Sequence, residues 1–141
     1  MIDEYVKKWL KKAMEDYKTA LHEFNLPPRE EVVTSSVCFH CQQAVEKLLK
    51  AYLTAKKIDF GKIHALEFLV KLCAEEDEDF NNIDVGDLSS YAVDVRYPDD
   101  FYIPSIKEAE KALSIVKEIK TFIFKKLNID ENSVFLRQEG L

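Results

Sequence analysis

A polar stripe between residues 40 and 50 carries the first side chains that could do chemistry. Its members follow one another at steps of three, four and three residues: His40, Gln43, Lys47 and Lys50. On a helix this spacing places the side chains along one edge. A histidine, an amide and two ammonium groups in a row can hold phosphate oxygens and the edges of bases. The alternative is a solvated helix edge with His40 hydrogen-bonded locally, and the pattern alone favours that alternative.

A second group of polar residues lies in the run Asp-Val-Arg-Tyr-Pro-Asp-Asp at positions 94–100. Arg96 suits bidentate binding of a phosphate or a carboxylate, and Tyr97 offers a ring on which a base can stack. The alternative is an arginine–aspartate surface pair that holds a loop and contributes little stability. Here too the pattern alone favours the structural alternative.

Three cysteines are the candidate metal ligands or redox groups. Cys38 and Cys41 form a C-x-x-C pair inside a predicted helix, and Cys73 is distant from both. Zinc needs about four ligands, and no second paired motif supplies them. A redox pair normally follows a strand and opens a helix. We therefore predict that these cysteines are small core residues.

Calcium and phosphate-loop chemistry find no support either. The acidic run at 75–79 leads to Asn82 at the position where an EF-hand loop requires glycine. The chain has only three glycines and no glycine-rich phosphate loop. We therefore predict no metal site and no cofactor.

Apolar residues recurring at steps of three and four predict the elements that must position these side chains. The expected helices cover approximately residues 3–24, 30 or 35–57, 64–76, 85–95 and 105–127. The second of them is apolar on two sides, so it should be central. Ser105 and Glu108 have the spacing of a capping box at the start of the last helix.

Composition agrees with an all-α fold. The chain has 141 residues, of which 47% are hydrophobic, with three glycines and four prolines. Such sparse turn residues suit long helices better than a β-sandwich. The sequence predicts an antiparallel up-and-down helical bundle of four to five helices. We expect one domain over residues 1–141, with its core at about 5–127 and a C-terminal tail at 128–141.

Net charge and cysteine content limit the classes of protein. A formal charge of −6 argues against a protein that grips duplex DNA with its whole surface. No apolar run approaches the ~20 residues that span a bilayer, and charges interrupt the first twelve residues where a signal peptide would be apolar. Three cysteines cannot all pair within one chain. Together these features predict a soluble cytoplasmic protein with reduced thiols.

Four segments taken together resemble the HEPN domain family over approximately residues 5–125. The first has Trp9 and Ala13 followed by an acidic Glu-Asp pair ending at Asp16. The most recognisable segment is Phe39–Ala51, reading Phe-His-Cys-Gln-Gln-Ala-Val-Glu-Lys-Leu-Leu-Lys-Ala. A His-Ala-Leu start to the third helix and the Arg-Tyr-Pro-Asp run at 96–99 complete the resemblance.

The resemblance also implies chemistry that this chain carries incompletely. Many HEPN proteins are similar to metal-independent ribonucleases with an arginine followed four to six residues later by histidine. Here Arg96 is followed at those positions by Phe101, Tyr102 and Ile103, and no histidine follows His64. The standard ribonuclease motif is therefore incomplete. A tyrosine that some relatives present for adenylylation corresponds to Ile103, and Tyr102 lies one residue out of register.

The resulting hypothesis is a HEPN protein, a binder rather than an enzyme, that holds a nucleotide or an RNA segment in a cleft. The residues expected on its two walls are His40, Gln43 and Lys47 on one side and Arg96, Tyr97 and Asp99 on the other. The resemblance further implies a homodimer and a separate minimal nucleotidyltransferase partner, as in toxin–antitoxin pairs. Two alternatives stay open: a ribonuclease with a rearranged site, and a non-catalytic helical module that binds another protein.

Overall fold

Four α-helices make up most of the protein. The computed structural model describes residues 3–92 and 102–134. The helices are α1 (Glu4–Asn25), α2 (Thr34–Ala55), α3 (Leu66–Glu76) and α4 (Ile106–Leu127). Short 3₁₀ turns cover Arg29–Glu31, Glu78–Asn82 and Leu88–Tyr91. The described residues contain no β-strand, and the predicted all-α bundle is confirmed.

Helix α2 lies at the centre of the bundle. Fourteen of its 22 residues are buried, and it packs against α1, α3, α4 and the Leu88–Tyr91 turn. A helix surrounded in this way must be apolar on more than one side, which is what its two apolar stripes predicted. The polar groups that α2 still carries are therefore held in defined surroundings.

The helix ends follow from local chemistry. Asp3 caps α1 by accepting a hydrogen bond from the Tyr5 backbone N–H. Ser105 and Glu108 form the predicted capping box, each side chain accepting from the other's backbone N–H at 3.0 Å. At the other end of α4, Asn128 adopts a left-handed conformation with φ 55°. Such a residue ends a helix because the left-handed conformation cannot continue it.

The helix predicted at 85–95 is wrong over its described part. Residues 85–87 are not helical and Leu88–Tyr91 forms a 3₁₀ turn, while residues 93–95 lie outside the described ranges. The cause is Gly86, which has φ +55°, a conformation that interrupts an α-helix. A Cβ at Gly86 would lie 3.1 Å from Ile115 Cδ1, so the turn packs closely on α4.

Two helix boundaries differ slightly from the prediction. Helix α2 begins at Thr34, because Arg29–Glu31 is a separate 3₁₀ turn, and α3 begins at Leu66 and leaves His64 in the preceding loop.

None of the described helices combines the length and the apolar character needed to cross a membrane.

Candidate functional site

A carboxylate on α1 joins two members of the predicted stripe. Asp16 Oδ1 lies 2.8 Å from His40 Nδ1, and Asp16 Oδ2 lies 2.6 Å from Lys47 Nζ. A carboxylate only accepts hydrogen bonds, so Nδ1 carries a proton and Nε2 points away from Asp16. The histidine and lysine side chains are 28% and 25% exposed, against 12% for Asp16. The α1–α2 contact therefore presents an oriented imidazole and a tethered ammonium group at the surface.

A second network runs inward from Gln43. Its amide nitrogen donates to Gln42 Oε1 at 2.7 Å, and Gln42 Nε2 donates to Glu46 Oε1 at 3.1 Å. The other carboxylate oxygen of Glu46 accepts from Lys50 and from His64, both at 2.8 Å. The network joins α2 to the loop that precedes α3.

The electrostatics of this second network centre on Glu46. Burial alone would raise the pKa of its carboxyl group, but hydrogen bonds from its three partners lower the pKa below the ordinary value. Glu46 is thus the anion that accepts hydrogen bonds from one buried ammonium group, one amide and one imidazole.

Lys50 does not share the surface with the other three stripe residues. It is 5% exposed, and its ammonium lies 5.7 Å from the Trp9 ring centre and 5.3 Å from that of Phe60. Its ammonium donates to the buried Glu46 carboxylate instead of facing solvent. The expectation of one edge with four side chains is therefore wrong for Lys50, which is a structural ion-pair residue.

Two residues that organise the surface were not among the predicted site residues. Asp16 and Gln42 appeared only as part of the family pattern. A signal was present for the inner network, because Gln42, Glu46 and Lys50 recur at steps of four. No local pattern pairs Asp16 with a helix that starts many residues later.

The predicted second wall, formed by Arg96, Tyr97 and Asp99, lies outside the described residues and stays a prediction. The segments flanking it are attached to α2. On one side the Tyr91 hydroxyl lies near enough to the Cys38 thiol to lower its pKa, against the larger raising effect of burial. On the other, Thr34 Oγ1 donates to the Pro104 carbonyl at 2.7 Å.

The three cysteines are buried in the core, as predicted. Burial raises the pKa of Cys38 to about 11 and of Cys73 to about 12, and it raises that of Cys41 further. Such thiols react poorly because the thiolate is the reactive form. Within residues 3–92 and 102–134, no group of three or more histidine, cysteine or acidic residues is arranged to hold a metal ion.

The hydroxyl of Tyr102 is engaged in a hydrogen bond and is not free for modification. Its hydroxyl donates to Glu108 Oε1, and this hydrogen bond raises the pKa of Tyr102. Tyr91 also reaches Glu108, at 3.5 Å. A shallow groove between the Leu88–Tyr91 turn and α4 lies beside these groups and is separate from the His40 surface.

Two of the four segments that carried the family resemblance lie on α1 and α2, and comparison with known families gives the same family. The family described as HEPN domain matches residues 6–127. The chain belongs to the HEPN domain family. Neither the curated proteins nor the solved structures contain a match. Membership of this family indicates a nucleotide- or RNA-related function.

The matched range contains both networks of the HEPN chain, from Asp16 on α1 to the loop before α3. The conspicuous Phe39–Ala51 segment thereby divides into two parts. Its Gln42, Glu46 and Lys50 hold the bundle together, whereas His40, Gln43 and Lys47 are partly exposed.

Proposed function

We propose that this HEPN protein binds a nucleotide or an RNA segment on the surface formed by His40, Gln43 and Lys47. The observation that carries the proposal is the Asp16 contact, which orients one imidazole and one ammonium group toward the same surface. An oriented polar surface of this kind, rather than a freely solvated edge, can contact phosphate and sugar oxygens.

The charge balance of this surface requires a further cation for phosphate binding. Lys47 contributes one positive charge, and Asp16, 2.6 Å away, contributes one negative charge. With His40 neutral, the three groups sum to zero. We assign the missing charge to Arg96, whose guanidinium suits bidentate binding of phosphate. Tyr97 and Asp99 would complete this second wall by stacking on a base and accepting a hydrogen bond.

Attachment of the flanking segments supports this assignment. Tyr91 and Pro104, on either side of the segment that carries Arg96, both contact α2. Thr34, the partner of Pro104, precedes His40 by six residues, a distance of about 9 Å along the helix axis. The segment that carries Arg96 would therefore have to extend only a short distance to form a second wall beside His40.

Calorimetric titration with AMP, ATP and a short RNA tests the binding function. We expect dissociation constants below ~1 mM, weakened strongly by Arg96→Ala and by Lys47→Ala. Glu110→Gln, at an exposed position of α4, serves as the control and should leave binding unchanged. The proposal is overturned if none of the three ligands binds at ~1 mM, or if both site variants bind as the unmodified protein does.

A metal-independent ribonuclease with a rearranged site is the second candidate. The observation in its favour is the Asp16–His40 pair, since a carboxylate bonded to Nδ1 leaves Nε2 placed as a general base would be. Incubation with end-labelled RNA in excess chelator distinguishes the two. Cleavage that disappears in His40→Ala would favour the enzyme, and intact RNA would leave the binding protein.

We further propose a cytoplasmic homodimer that works with a separately encoded minimal nucleotidyltransferase in a toxin–antitoxin-type pair. Support for a dimer comes from four exposed apolar side chains near the starts of α2 and α4: Val33, Tyr102, Ile103 and Ile106. The Thr34–Pro104 hydrogen bond holds these two starts together. Sedimentation analysis of the protein and of Ile103→Asp tests the dimer, and co-purification with a candidate nucleotidyltransferase tests the partner.

A further inference from the structure

Each of two adjacent groups on the proposed binding surface is oriented from behind by a carboxylate. For His40 the carboxylate is Asp16, which contacts the ring directly. For Gln43 it is Glu46, which acts through the buried amide of Gln42. Both contacts determine which atom of the surface group faces outward.

The amide relay leaves an oxygen of Gln43 facing outward. Glu46 can only accept, so Gln42 must turn its nitrogen toward it and its oxygen toward Gln43. Gln43 in turn directs a nitrogen at that oxygen. Its own Oε1 has no partner among the described residues. Since no fully buried side-chain polar atom in the described part of the chain lacks a partner, this oxygen retains contact with solvent.

In its neutral form the imidazole of His40 presents an acceptor in the same way. Because Nδ1 of His40 donates to Asp16, the neutral ring has its lone pair on Nε2. Nε2 has no partner among residues 3–92 and 102–134, and by the same reasoning it retains contact with solvent. Residues three apart on a helix have Cβ atoms about 5–6 Å apart. The two acceptors, His40 Nε2 and Gln43 Oε1, therefore belong to neighbouring side chains of α2.

A ligand that meets this pair must offer two neighbouring donors. Phosphate oxygens are acceptors and are disfavoured here, whereas they suit Lys47 one turn further along α2. The amino group of adenine or cytosine carries both of its donors on one nitrogen atom and so spans two neighbouring acceptors less well than donors on two atoms do. The vicinal 2′- and 3′-hydroxyls of ribose offer two, on adjacent carbon atoms.

We infer that His40 Nε2 and Gln43 Oε1 receive the ribose hydroxyls of the bound nucleotide, so that the site selects ribonucleotides over deoxyribonucleotides. Asp16 and Gln42 are then positioning residues. The inference rests on the proposed function and adds the sugar to it. A ribose with both hydroxyls free, as in a mononucleotide or at the 3′ end of RNA, is the preferred ligand.

Calorimetry with AMP, 2′-deoxy-AMP and 3′-deoxy-AMP tests the inference on the unmodified protein. Each lost hydroxyl removes one neutral hydrogen bond, so we expect each deoxynucleotide to bind roughly five- to tenfold more weakly than AMP. Equal affinity for the three ligands overturns the inference while the proposed function stands. Failure of AMP itself to bind overturns both.

Variants separate positioning from a merely structural role. Asp16→Asn frees the ring to turn either nitrogen outward and releases Lys47, so overall affinity changes for every nucleotide alike. The ratio of AMP to deoxy-AMP affinity should nevertheless fall toward one. Gln43→Met, at a partly exposed position, should remove about half of the selectivity on a logarithmic scale without unfolding the bundle.

Glu110→Gln makes the same charge change as Asp16→Asn outside the site and should keep the full ratio. The AMP to deoxy-AMP ratio staying unchanged in both Asp16→Asn and Gln43→Met would overturn the assignment of the acceptor pair. Circular dichroism confirms that each variant is folded before the titration.

Discussion

Removing the charge of Glu46 is the sharpest perturbation of the fold that the structure suggests. The side chains of Glu46 and Lys50 are only 9% and 6% exposed, and Glu46 Oε2 lies 2.8 Å from Lys50 Nζ. In Glu46→Gln the ammonium of Lys50 stays in its enclosure between Trp9 and Phe60 without a neutralising partner.

The expected loss follows from which contacts of Glu46 are buried. Breaking a buried ion pair on one side costs about 3–5 kcal/mol, because the remaining charge is left uncompensated. The His64 contact adds little, since the His64 side chain is 68% exposed. Glutamine retains one acceptor for Gln42. We therefore expect the free energy of unfolding to fall by about 3 kcal/mol and Tm by about 10 °C.

Urea unfolding followed by circular dichroism measures this change. The matched control is Asp79→Asn, which removes a carboxylate from the more exposed pair with Lys126 and should cost less than about 1 kcal/mol. The double variant Glu46→Met with Lys50→Met should recover most of the loss, because apolar side chains replace a buried pair at little cost. Stability of Glu46→Gln within 1 kcal/mol of the unmodified protein would refute this reasoning.

Three further predictions concern pH, helix capping and thiol reactivity. The folded-state pKa of Glu46 is lowered, so its contribution is complete above its ordinary value of 4.5 and is lost as pH falls through the folded pKa. Acid titration of stability should show this loss and Glu46→Gln should lack it; an identical acid profile would contradict the assignment. Ser105→Ala removes the α4 capping box and should lower stability by about 1 kcal/mol in thermal unfolding, whereas an unchanged Tm would count against the cap. Cys38, Cys41 and Cys73 should resist an aromatic disulfide reagent in the native state and react together in urea, and rapid native labelling would show that the core is open.

Local chemistry made much of the architecture predictable. Apolar residues at steps of three and four predict α1, α2 and α4, because a helix repeats every 3.6 residues whatever surrounds it. The Ser105–Glu108 box is readable for the same reason, since both partners lie within one helical turn. The loop at Gly86 was missed, because a single glycine within an apolar pattern does not reveal its own left-handed conformation.

The chemistry of the surface depended on contacts between helices. The sequence by itself determined a helical HEPN bundle whose central helix bears His40, Gln43, Lys47 and Lys50. Only the tertiary structure decided that Asp16 orients the imidazole and that Lys50 is enclosed. The physical reason is that helical periodicity is a property of one segment. Which side chains are paired, buried or exposed depends on the neighbours that packing brings to each face.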